Sequence, residues 1–321
     1  MMTPLLDIAL QVNSNWRRVS LKLESYNLGG SIKYRTAQGL VDDLERAGRL
    51  RPGITLIEST SGNLGVALAL LSAEYDYRFT AVTDPKTDPT VLDQIRDLGA
   101  QVICVTEPDT SGGYLLSRLA TVHEFLTTHP DAIWPNQYEN PSNPNVHYRQ
   151  TGPEIFKQCP EIDAVFVAAS TGGTLAGIGR YLKATAPSVR VVGVDMHGSA
   201  VFGLPSAKRL VTGIGSGRPS SFLRPGDYDD VVLVDDFAAI ATCHRLRNEI
   251  GLGLGGSSGA AIAACSRYLS VNEDVMRAVC ICPDGASNYL NSLYSPEWLV
   301  LNGLDLESDA AAQLFDDVKI L

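Results

Sequence analysis

The 321-residue sequence has no apolar run that approaches the roughly 18 residues of a membrane-spanning helix, and no charged-then-apolar signal pattern at its N-terminus. We therefore expect a soluble, cytoplasmic protein. Positive charge is also scarce, because 26 Lys and Arg face 36 Asp and Glu, for a net charge of −10. This balance argues against nucleic acid or an anionic membrane as a partner. A site for anionic substrates must then supply its own local positive potential.

Paired cysteine motifs are absent too. Cys280 and Cys282 would share one face of a strand, but no second pair of this kind matches them. Zinc ligation is therefore disfavoured, and we expect no bound metal. The interpretation that fits the scattered pattern is buried reduced thiols in a cytosolic protein.

Short β-branched or apolar runs alternate with longer stretches of helical period, which is typical of an α/β protein with a mostly parallel sheet. A chain of this length favours two domains or lobes that share one site. The predicted strands are Val19–Leu23, Thr55–Glu58, Arg78–Val82, Gln101–Val105, Ala164–Ala168, Val189–Val194, Asp230–Val234 and Val279–Cys282. The predicted helices are Lys33–Ala47, Asn63–Tyr75, Pro89–Leu98, Gly113–Thr127, Gly172–Ala186, Asp236–Gly251 and Ser258–Tyr268. The residues from Asp309 to Leu321 are expected to form a surface helix or a fraying tail.

The first loop that carries a candidate catalytic residue is N-L-G-G-S-I-K-Y-R, from Asn27 to Arg35, between a predicted strand and a helix. Its glycines allow close approach of the backbone to a ligand, and Ser31 is placed to cap the helix. Lys33 then lies in the first helical turn, where the partial positive charge lowers an amine pKa and suits a Schiff-base lysine. A solvated surface lysine after a glycine turn is the other interpretation of this stretch.

Two further loops also connect a strand end to a helix. The stretch E-S-T-S-G-N-L-G, which starts at Glu58, offers three hydroxyls, an amide and backbone N–H groups that can clasp a carboxylate without a cation; an ordinary Ser/Thr cap is the alternative. The stretch S-T-G-G-T, Ser170–Thr174, is a phosphate cradle of helix-terminal N–H groups and hydroxyls. It lacks the GK[ST] ending of a P-loop and the G-x-G-x-x-G fingerprint, which disfavours a kinase or a dehydrogenase. Glycine-rich stretches at 213–217 and 253–259 are weak signals singly.

Taken together, the motifs G-G-S-x-K-x-R, T-S-G-N-x-G, N-Q-Y-E-N-P-x-N-P, T-G-P-E-I, S-T-G-G-T, G-I-G and G-G-S-S-G resemble the fold-type II pyridoxal-phosphate (PLP) family, specifically the cysteine synthase group. They cover nearly the whole chain in the family's order. The resemblance implies two open α/β lobes with the cofactor in the cleft between them. The large PLP-binding lobe would comprise residues 1–32 and 139–321, and 33–138 would form a smaller mobile lobe. Members of this family are commonly homodimers.

The resemblance also implies roles for individual residues. Lys33 would carry PLP as a Schiff base and, once freed, shuttle the Cα proton. The other expected cofactor-binding residues are Asn63, Ser170, Thr171, Gly172, Gly173, Thr174, Ser257 and Asp284. The residues expected at the amino-acid substrate are Ser59, Thr60, Ser61, Gln137, Tyr138, Gly213, Arg118 and Arg218. His147 is expected to be a structural hydrogen-bonding residue. PLP as an electron sink would allow the β-substituent to leave, giving an aminoacrylate that a nucleophile attacks.

Departures from the usual family pattern sharpen the expected substrate. The family places a serine at the pyridine nitrogen after a proline, whereas Pro283 is followed here by Asp284, so an aspartate at that nitrogen and one turned elsewhere both stay open. Tyr138, Arg118 and Arg218 resemble a subgroup that makes N-(2-amino-2-carboxyethyl)-L-glutamate for L-2,3-diaminopropionate biosynthesis. The implied reaction joins O-phospho-L-serine to the amine of L-glutamate and releases phosphate. A phosphate leaving group and a dicarboxylate nucleophile both need arginine-like partners, which sulfide does not.

Three alternatives remain at this point. A cysteine synthase would use O-acetylserine or O-phosphoserine with sulfide, and a serine or threonine dehydratase would make a keto acid without a second substrate. A catalytically silent homologue would act as a binding partner, but it should have lost Lys33 or the cradle at Ser170–Thr174, and both are intact.

Overall fold

The computed structural model describes residues 2–109, 113–306 and 314–321, and it divides into two compact units. The first unit contains the residues up to Tyr26 together with His147–Leu321, and the second is Asn27–Val146. These limits differ by six to eight residues from those expected from the sequence. The turn that precedes Lys33 belongs to the second unit, where Gly29 lies so close to Leu70 that an added Cβ would be 2.8 Å from its Cδ1.

The first unit is built on a seven-stranded sheet with the order β10-β1-β2-β9-β6-β7-β8. Strands β2, β9, β6, β7 and β8 are mutually parallel, as the sequence pattern predicts, and β1 pairs antiparallel with both β2 and β10. The bounds are β1 Leu5–Val12, β2 Asn15–Leu23, β6 Ala164–Ala168, β7 Arg190–Met196, β8 Asp230–Val234, β9 Arg277–Cys282 and β10 Asp317–Ile320.

The antiparallel edge is the part of this sheet that the sequence did not predict. A two-residue turn at Asn13 and Ser14, both with positive φ, joins β1 to β2. The expectation of a surface helix or fraying tail is wrong at its end, because residues 317–320 pair with β1 as a strand. Residues 309–313 of that tail lie outside the described part of the chain. Four residues of a mixed polar and apolar tail carry too little pattern to reveal a strand.

The helices of the first unit are α6 Gly152–Gln158, α7 Gly173–Thr185, α8 Asp236–Ile250, α9 Gly256–Leu269 and α10 Pro296–Leu301. Short 3₁₀ turns lie at Glu24–Tyr26 and Ser287–Tyr289, and one π-helical turn spans His147–Thr151. Helix α9 is buried along most of its length and is rich in Gly, Ala and Ser, so its backbone packs closely on its neighbours. At Gly259, an added Cβ would lie 2.2 Å from the carbonyl oxygen of Ala239 in α8.

The second unit has a three-stranded parallel sheet with the order β3-β4-β5. Its strands are β3 Thr55–Ser59, β4 Arg78–Thr83 and β5 Gln101–Cys104, and its helices are α1 Lys33–Arg46, α2 Asn63–Glu74, α3 Pro89–Asp97, α4 Leu115–Thr128 and α5 Ser142–Val146. Strand β3 and helix α2 form the centre of its core, with Leu56, Ile57 and Leu68 fully buried. The predicted strands and helices of this unit are present, each within two residues of the expected bounds.

Four of the six cysteines are buried and none forms a disulfide. Burial raises the pKa of the Cys243 thiol to about 12, so this group is an inert part of the core. Cys104 is exposed and Cys159 is half-buried. Among the residues the structure describes, no helix is long and apolar enough to cross a membrane.

Helix α7 leads away from the loop at Ser170–Thr174, and its close packing gives a stability prediction. A Cβ at Gly179 would lie 1.9 Å from the carbonyl oxygen of Asp227, so Gly179→Ala should lower the free energy of unfolding by about 1–3 kcal/mol despite the better helix propensity of alanine. In the control Gly217→Ala, the new Cβ meets only the Ser206 hydroxyl, at 3.9 Å, and a change below about 0.5 kcal/mol is expected. Urea unfolding measures both; equal stability of the two variants would contradict the packing described.

Candidate active site

In the first unit, the loop after β6 leads into the N-terminus of α7. Gly172 is the N-cap residue and has φ of 87°, a conformation that favours glycine. A Cβ there would also lie 2.2 Å from the Ser220 hydroxyl, which donates to the carbonyl oxygen of Thr171 at 2.6 Å. This loop therefore requires glycine for two reasons, and the helix N-terminus that it forms suits an anion.

Neighbouring segments fix the two ends of this cradle. The Ser170 hydroxyl donates to the carbonyl oxygen of Gly215 at 3.1 Å, and the N–H of Gly215 donates to Ala169 at 2.8 Å. Thr174 Oγ1 lies 3.3 Å from Nε2 of His147, whose Nδ1 lies 2.9 Å from Thr151 Oγ1. His147 is fully buried, and its two ring nitrogens contact Thr151 and Thr174.

Asp284 follows the end of β9 and is almost fully buried. The hydroxyl of Tyr289 donates to its Oδ2 at 2.6 Å. Gly255, the N-cap of α9, packs against the same carboxylate so closely that an added Cβ would lie 2.0 Å from Oδ1. Gly213 and Ser257 lie close to Tyr289 as well. A Cβ added at Gly213 would lie 3.4 Å from the tyrosine hydroxyl and 3.9 Å from Ser257 Oγ. The structure thus collects three of the expected residues around Tyr289, a residue to which the sequence pattern assigned no role.

Arg218 is half-buried in the segment that follows Gly213–Gly217, and its N–H donates to Ser216 Oγ at 3.2 Å. Ser216 also donates its own N–H to Ser199 Oγ at 3.1 Å. These bonds order the backbone next to Arg218. They lie in the stretch 213–217, whose Gly215 also contacts Ser170.

In the second unit, Lys33 is the first residue of α1, and its N–H donates to Ser31 Oγ at 3.3 Å. Desolvation of the amine lowers its pKa to about 8, against the opposing attraction of the Glu58 carboxylate. Helix α1 therefore presents a lysine that is substantially neutral at slightly alkaline pH, which is the state a Schiff-base lysine needs.

The loop after β3 comprises Ser59, Thr60, Ser61 and Gly62, and it leads into α2 at Asn63. Thr60 Oγ1 accepts from the N–H of Gly65 at 3.0 Å, so this side chain caps the start of α2. Ser59 is fully buried and its carbonyl oxygen accepts from Gln137 Nε2 at 3.0 Å. The Tyr138 hydroxyl reaches the same carbonyl at 3.4 Å.

The structure therefore brings Gln137 and Tyr138, which are more than 70 residues away in sequence, against the loop that was expected to bind a substrate carboxylate. Ser61 is exposed at the loop tip, whereas Thr60 is buried. The loop bears no cationic side chain, so any anion it binds meets only neutral donors.

Arg118 lies in α4, in the stretch G-G-Y-L-L-S-R whose first glycine, Gly112, lies outside the described residues. Its side chain is about 9% exposed, and Nε is 3.4 Å from Asp84 Oδ2. Within the ranges that the structure describes, Nε and Nη1 are buried and make no hydrogen bond. The guanidinium therefore has an ion-pair partner in Asp84 and keeps hydrogen-bonding capacity for a second anion.

These residues fit pyridoxal phosphate. The cradle at Ser170–Thr174 supplies helix-terminal N–H groups and hydroxyls for a phosphate dianion. Lys33 supplies an amine whose pKa is already lowered for carbonyl chemistry.

Comparisons with known proteins agree with this chemistry. The family model described as "Pyridoxal-phosphate dependent enzyme" matches residues 2–284. The chain is 41% identical over 298 residues to N-(2-amino-2-carboxyethyl)-L-glutamate synthase of Ralstonia nicotianae, which covers 92% of this chain and 88% of that protein. It is 40% identical over 301 residues to the protein of the same name from Cupriavidus metallidurans, with the same two coverages.

Solved structures of similar fold include a hydrogen sulfide-producing enzyme from Fusobacterium nucleatum, with a TM-score of 0.87, 27% identity and coverage of 100% of this chain and 96% of that one. An O-acetylserine-dependent cystathionine beta-synthase from Helicobacter pylori has a TM-score of 0.84 and 30% identity, over 91% of this chain and 95% of that one.

The geometry at Gly172 yields a prediction for cofactor binding. Gly172→Ala should raise the Kd for pyridoxal phosphate at least about tenfold, because a left-handed alanine costs roughly 1–2 kcal/mol and its Cβ also displaces Ser220. Titration of the protein with pyridoxal phosphate, followed by absorbance, measures the change.

Gly203→Ala is the matched control, since Gly203 has φ of 85° but has no atom within 4 Å of an added Cβ. It shares the backbone strain without the collision and should bind the cofactor as the parent protein does. Equal weakening in both variants would argue that the cradle has no special need for glycine.

Proposed function

Because the chain belongs to the pyridoxal-phosphate-dependent enzyme family, we propose that it catalyses the β-replacement that joins O-phospho-L-serine to the amine of L-glutamate. The products would be N-(2-amino-2-carboxyethyl)-L-glutamate, a precursor of L-2,3-diaminopropionate, and phosphate. The buried guanidinium of Arg118 carries this choice of substrates, since it suits a reaction in which both partners bear additional negative charge. The names of the two relatives at 40% and 41% identity support it.

The cofactor's contribution is general to the family. When bound, pyridoxal phosphate supplies an electron sink that stabilises negative charge at Cα of an amino acid and so allows its β-substituent to leave. Lys33 Nζ would bond the cofactor and, after release, take the proton from Cα of the substrate. A pKa of about 8 makes this amine an effective proton acceptor near neutral pH. Asn63, Ser170–Thr174, Ser257 and Asp284 would hold the rest of the cofactor.

We assign the α-carboxylate of the amino-acid substrate to the loop at Ser59–Ser61 with Gln137. Its hydroxyls and backbone N–H groups are neutral donors, and the bond between Gln137 Nε2 and the Ser59 carbonyl fixes their relative positions. Such donors can bind a carboxylate without a cation in the loop.

The additional anionic groups, namely the substrate phosphate and the glutamate carboxylates, need cationic partners. Arg118 and Arg218 are assigned this role. Tyr138, whose hydroxyl reaches the Ser59 carbonyl, and Gly213, in the stretch 213–217, are assigned to the substrate as well. An arginine fork can bind a carboxylate or a phosphate with two hydrogen bonds. In a chain with a net charge of −10, such local cations are required to overcome the overall field.

A cysteine synthase that uses sulfide is the second candidate, and the likeness to the O-acetylserine-dependent cystathionine beta-synthase of Helicobacter pylori supports O-acetylserine as its donor. Both reactions would use the cofactor and a serine that carries a leaving group on its β-carbon, but they differ in the nucleophile. A decisive assay incubates the protein with O-phospho-L-serine and either L-glutamate or sulfide. We expect phosphate release that depends on glutamate, with the condensed product detected by mass spectrometry. Rapid cysteine formation with glutamate inert would establish the second candidate instead.

The role of Arg118 can be tested separately. Arg118→Gln should raise KM for O-phospho-L-serine or L-glutamate by about 10- to 100-fold, because a charged hydrogen bond of about 1.5–3 kcal/mol is lost. Measuring KM for each substrate identifies which anion the arginine binds.

Arg96→Gln is the control, since Arg96 is an exposed residue of α3 whose ion pair with Asp93 lies at the surface. Its kinetic constants should match those of the parent protein. An Arg118→Gln variant with both KM values unchanged would show that the guanidinium serves only its contact with Asp84.

A further inference from the structure

Glu58 is a fully buried carboxylate at the end of β3, directly before the loop assigned to the substrate. Its Oε1 accepts from the N–H of Ser59 at 2.9 Å and from the indole Nε1–H of Trp134 at 2.8 Å. Its Oε2 accepts from the N–H of Gln137 at 3.1 Å. One donor belongs to the adjacent residue, and the other two come from 134–137, more than 70 residues away in sequence, so three donors converge on one side chain.

The two segments connected in this way are those assigned to the substrate carboxylate. Within 134–138, Asn136 has φ of 54°, and this left-handed turn lets both Trp134 and Gln137 point donors at the same carboxylate. Gln137 then returns its own side-chain N–H to the carbonyl oxygen of Ser59. The result is a closed ring of hydrogen bonds through Glu58, Gln137 and Ser59.

The ring leaves little freedom to Gln137. Its side chain is buried, its N–H is bound to Glu58, and its carbonyl oxygen accepts from Asn143 Nδ2 at 2.7 Å. The orientation of the Gln137 backbone and side chain therefore depends on a residue at position 58 that accepts hydrogen bonds on two oxygens.

Burial makes this arrangement energetically expensive. Desolvation raises the pKa of Glu58 to about 7 in spite of its hydrogen bonds, and the attraction to the Lys33 amine does not reverse the effect. A neutral residue of the same shape could fill the space at lower cost, but it could not accept on both oxygens. The carboxylate therefore contributes bonding geometry more than stability.

We propose that Glu58 is a positioning residue for recognition of the substrate α-carboxylate, because its two oxygens fix the backbone of Gln137 against the Ser59–Gly62 loop. Glu58 is fully buried and acts through these neighbours without touching the substrate. The inference rests on the proposed function only in its assignment of an amino-acid carboxylate to this loop.

Glu58→Gln tests the proposal, because in either orientation its amide directs an N–H at another donor and breaks one side of the ring. We expect KM for O-phospho-L-serine to rise about tenfold or more, with kcat within about threefold of the parent value. The apparent Kd, from the change in cofactor absorbance on adding O-phospho-L-serine, should rise by the same factor. Binding of O-phosphoethanolamine, which lacks the carboxylate, should change less than about twofold by the same reasoning.

Thr3→Val is the matched control, since it removes a 2.7 Å hydrogen bond to another buried glutamate, Glu24, in the first unit. It should leave the KM for O-phospho-L-serine unchanged. Should Glu58→Gln fail to fold, Trp134→Phe removes only the indole donor, and a rise in KM of about threefold is expected.

The proposal is overturned if the folded Glu58→Gln variant keeps its affinity for O-phospho-L-serine, or if both phosphate compounds weaken equally. A Trp134→Phe variant whose KM for O-phospho-L-serine equals that of the parent protein would also overturn the proposal. Failure of the proposed function is a separate result: the parent protein would then not release phosphate with glutamate. In that case the comparison is repeated with O-acetyl-L-serine and sulfide, where the carboxylate is the same and the expected loss of affinity is unchanged.

Discussion

The start of a helix leaves backbone N–H groups without intrahelical acceptors, and this constraint governs the candidate site. In both units a parallel strand ends in a loop rich in Gly, Ser and Thr, which then begins a helix: β6 leads to α7, and β3 leads to α2. Within each sheet, parallel strands place such a junction at the edge formed by their carboxyl ends. A chain with a net charge of −10 thereby gains local positive potential without many cations.

Ionisable groups are added to this background only where neutral donors are insufficient. Lys33 and Glu58 are both held at pKa values far from their ordinary ones by desolvation. For Glu58 the shift corresponds to a penalty of the order of 3 kcal/mol when it is ionised. Because its folded pKa is raised, its stability contribution is present below about pH 4.5 and is lost as the pH rises through about 7. Such a penalty is tolerated where geometry matters more than stability.

The sequence predicts the parallel core well because each buried strand and its following helix carry a strong local period. It misses the antiparallel edge, since β10 is four residues long and its pairing with β1 is a long-range event. The same difference applies to the site. Lys33 and Ser170–Thr174 stand in recognisable loops, whereas Tyr289 gains its role only through its bond to Asp284. Glu58 was visible in its motif, but only the folded contacts with residues 134–137 reveal what it holds.

The distribution of charge separates two kinds of anion recognition. The loop at Ser59–Ser61 has no cation of its own and depends on fixed geometry, whereas Arg118 carries a full charge into a buried position beside Asp84. A hydrophobic residue would be more favourable there if the position served packing alone. Sulfide offers such a guanidinium neither a carboxylate nor a phosphate. A phosphorylated donor offers its phosphate, and a dicarboxylate nucleophile offers its carboxylates. The proposed amino-acid nucleophile and phosphorylated donor would each offer Arg118 a second anion beside Asp84, and the geometry that we propose Glu58 to hold would serve the carboxylate that all candidate donors share.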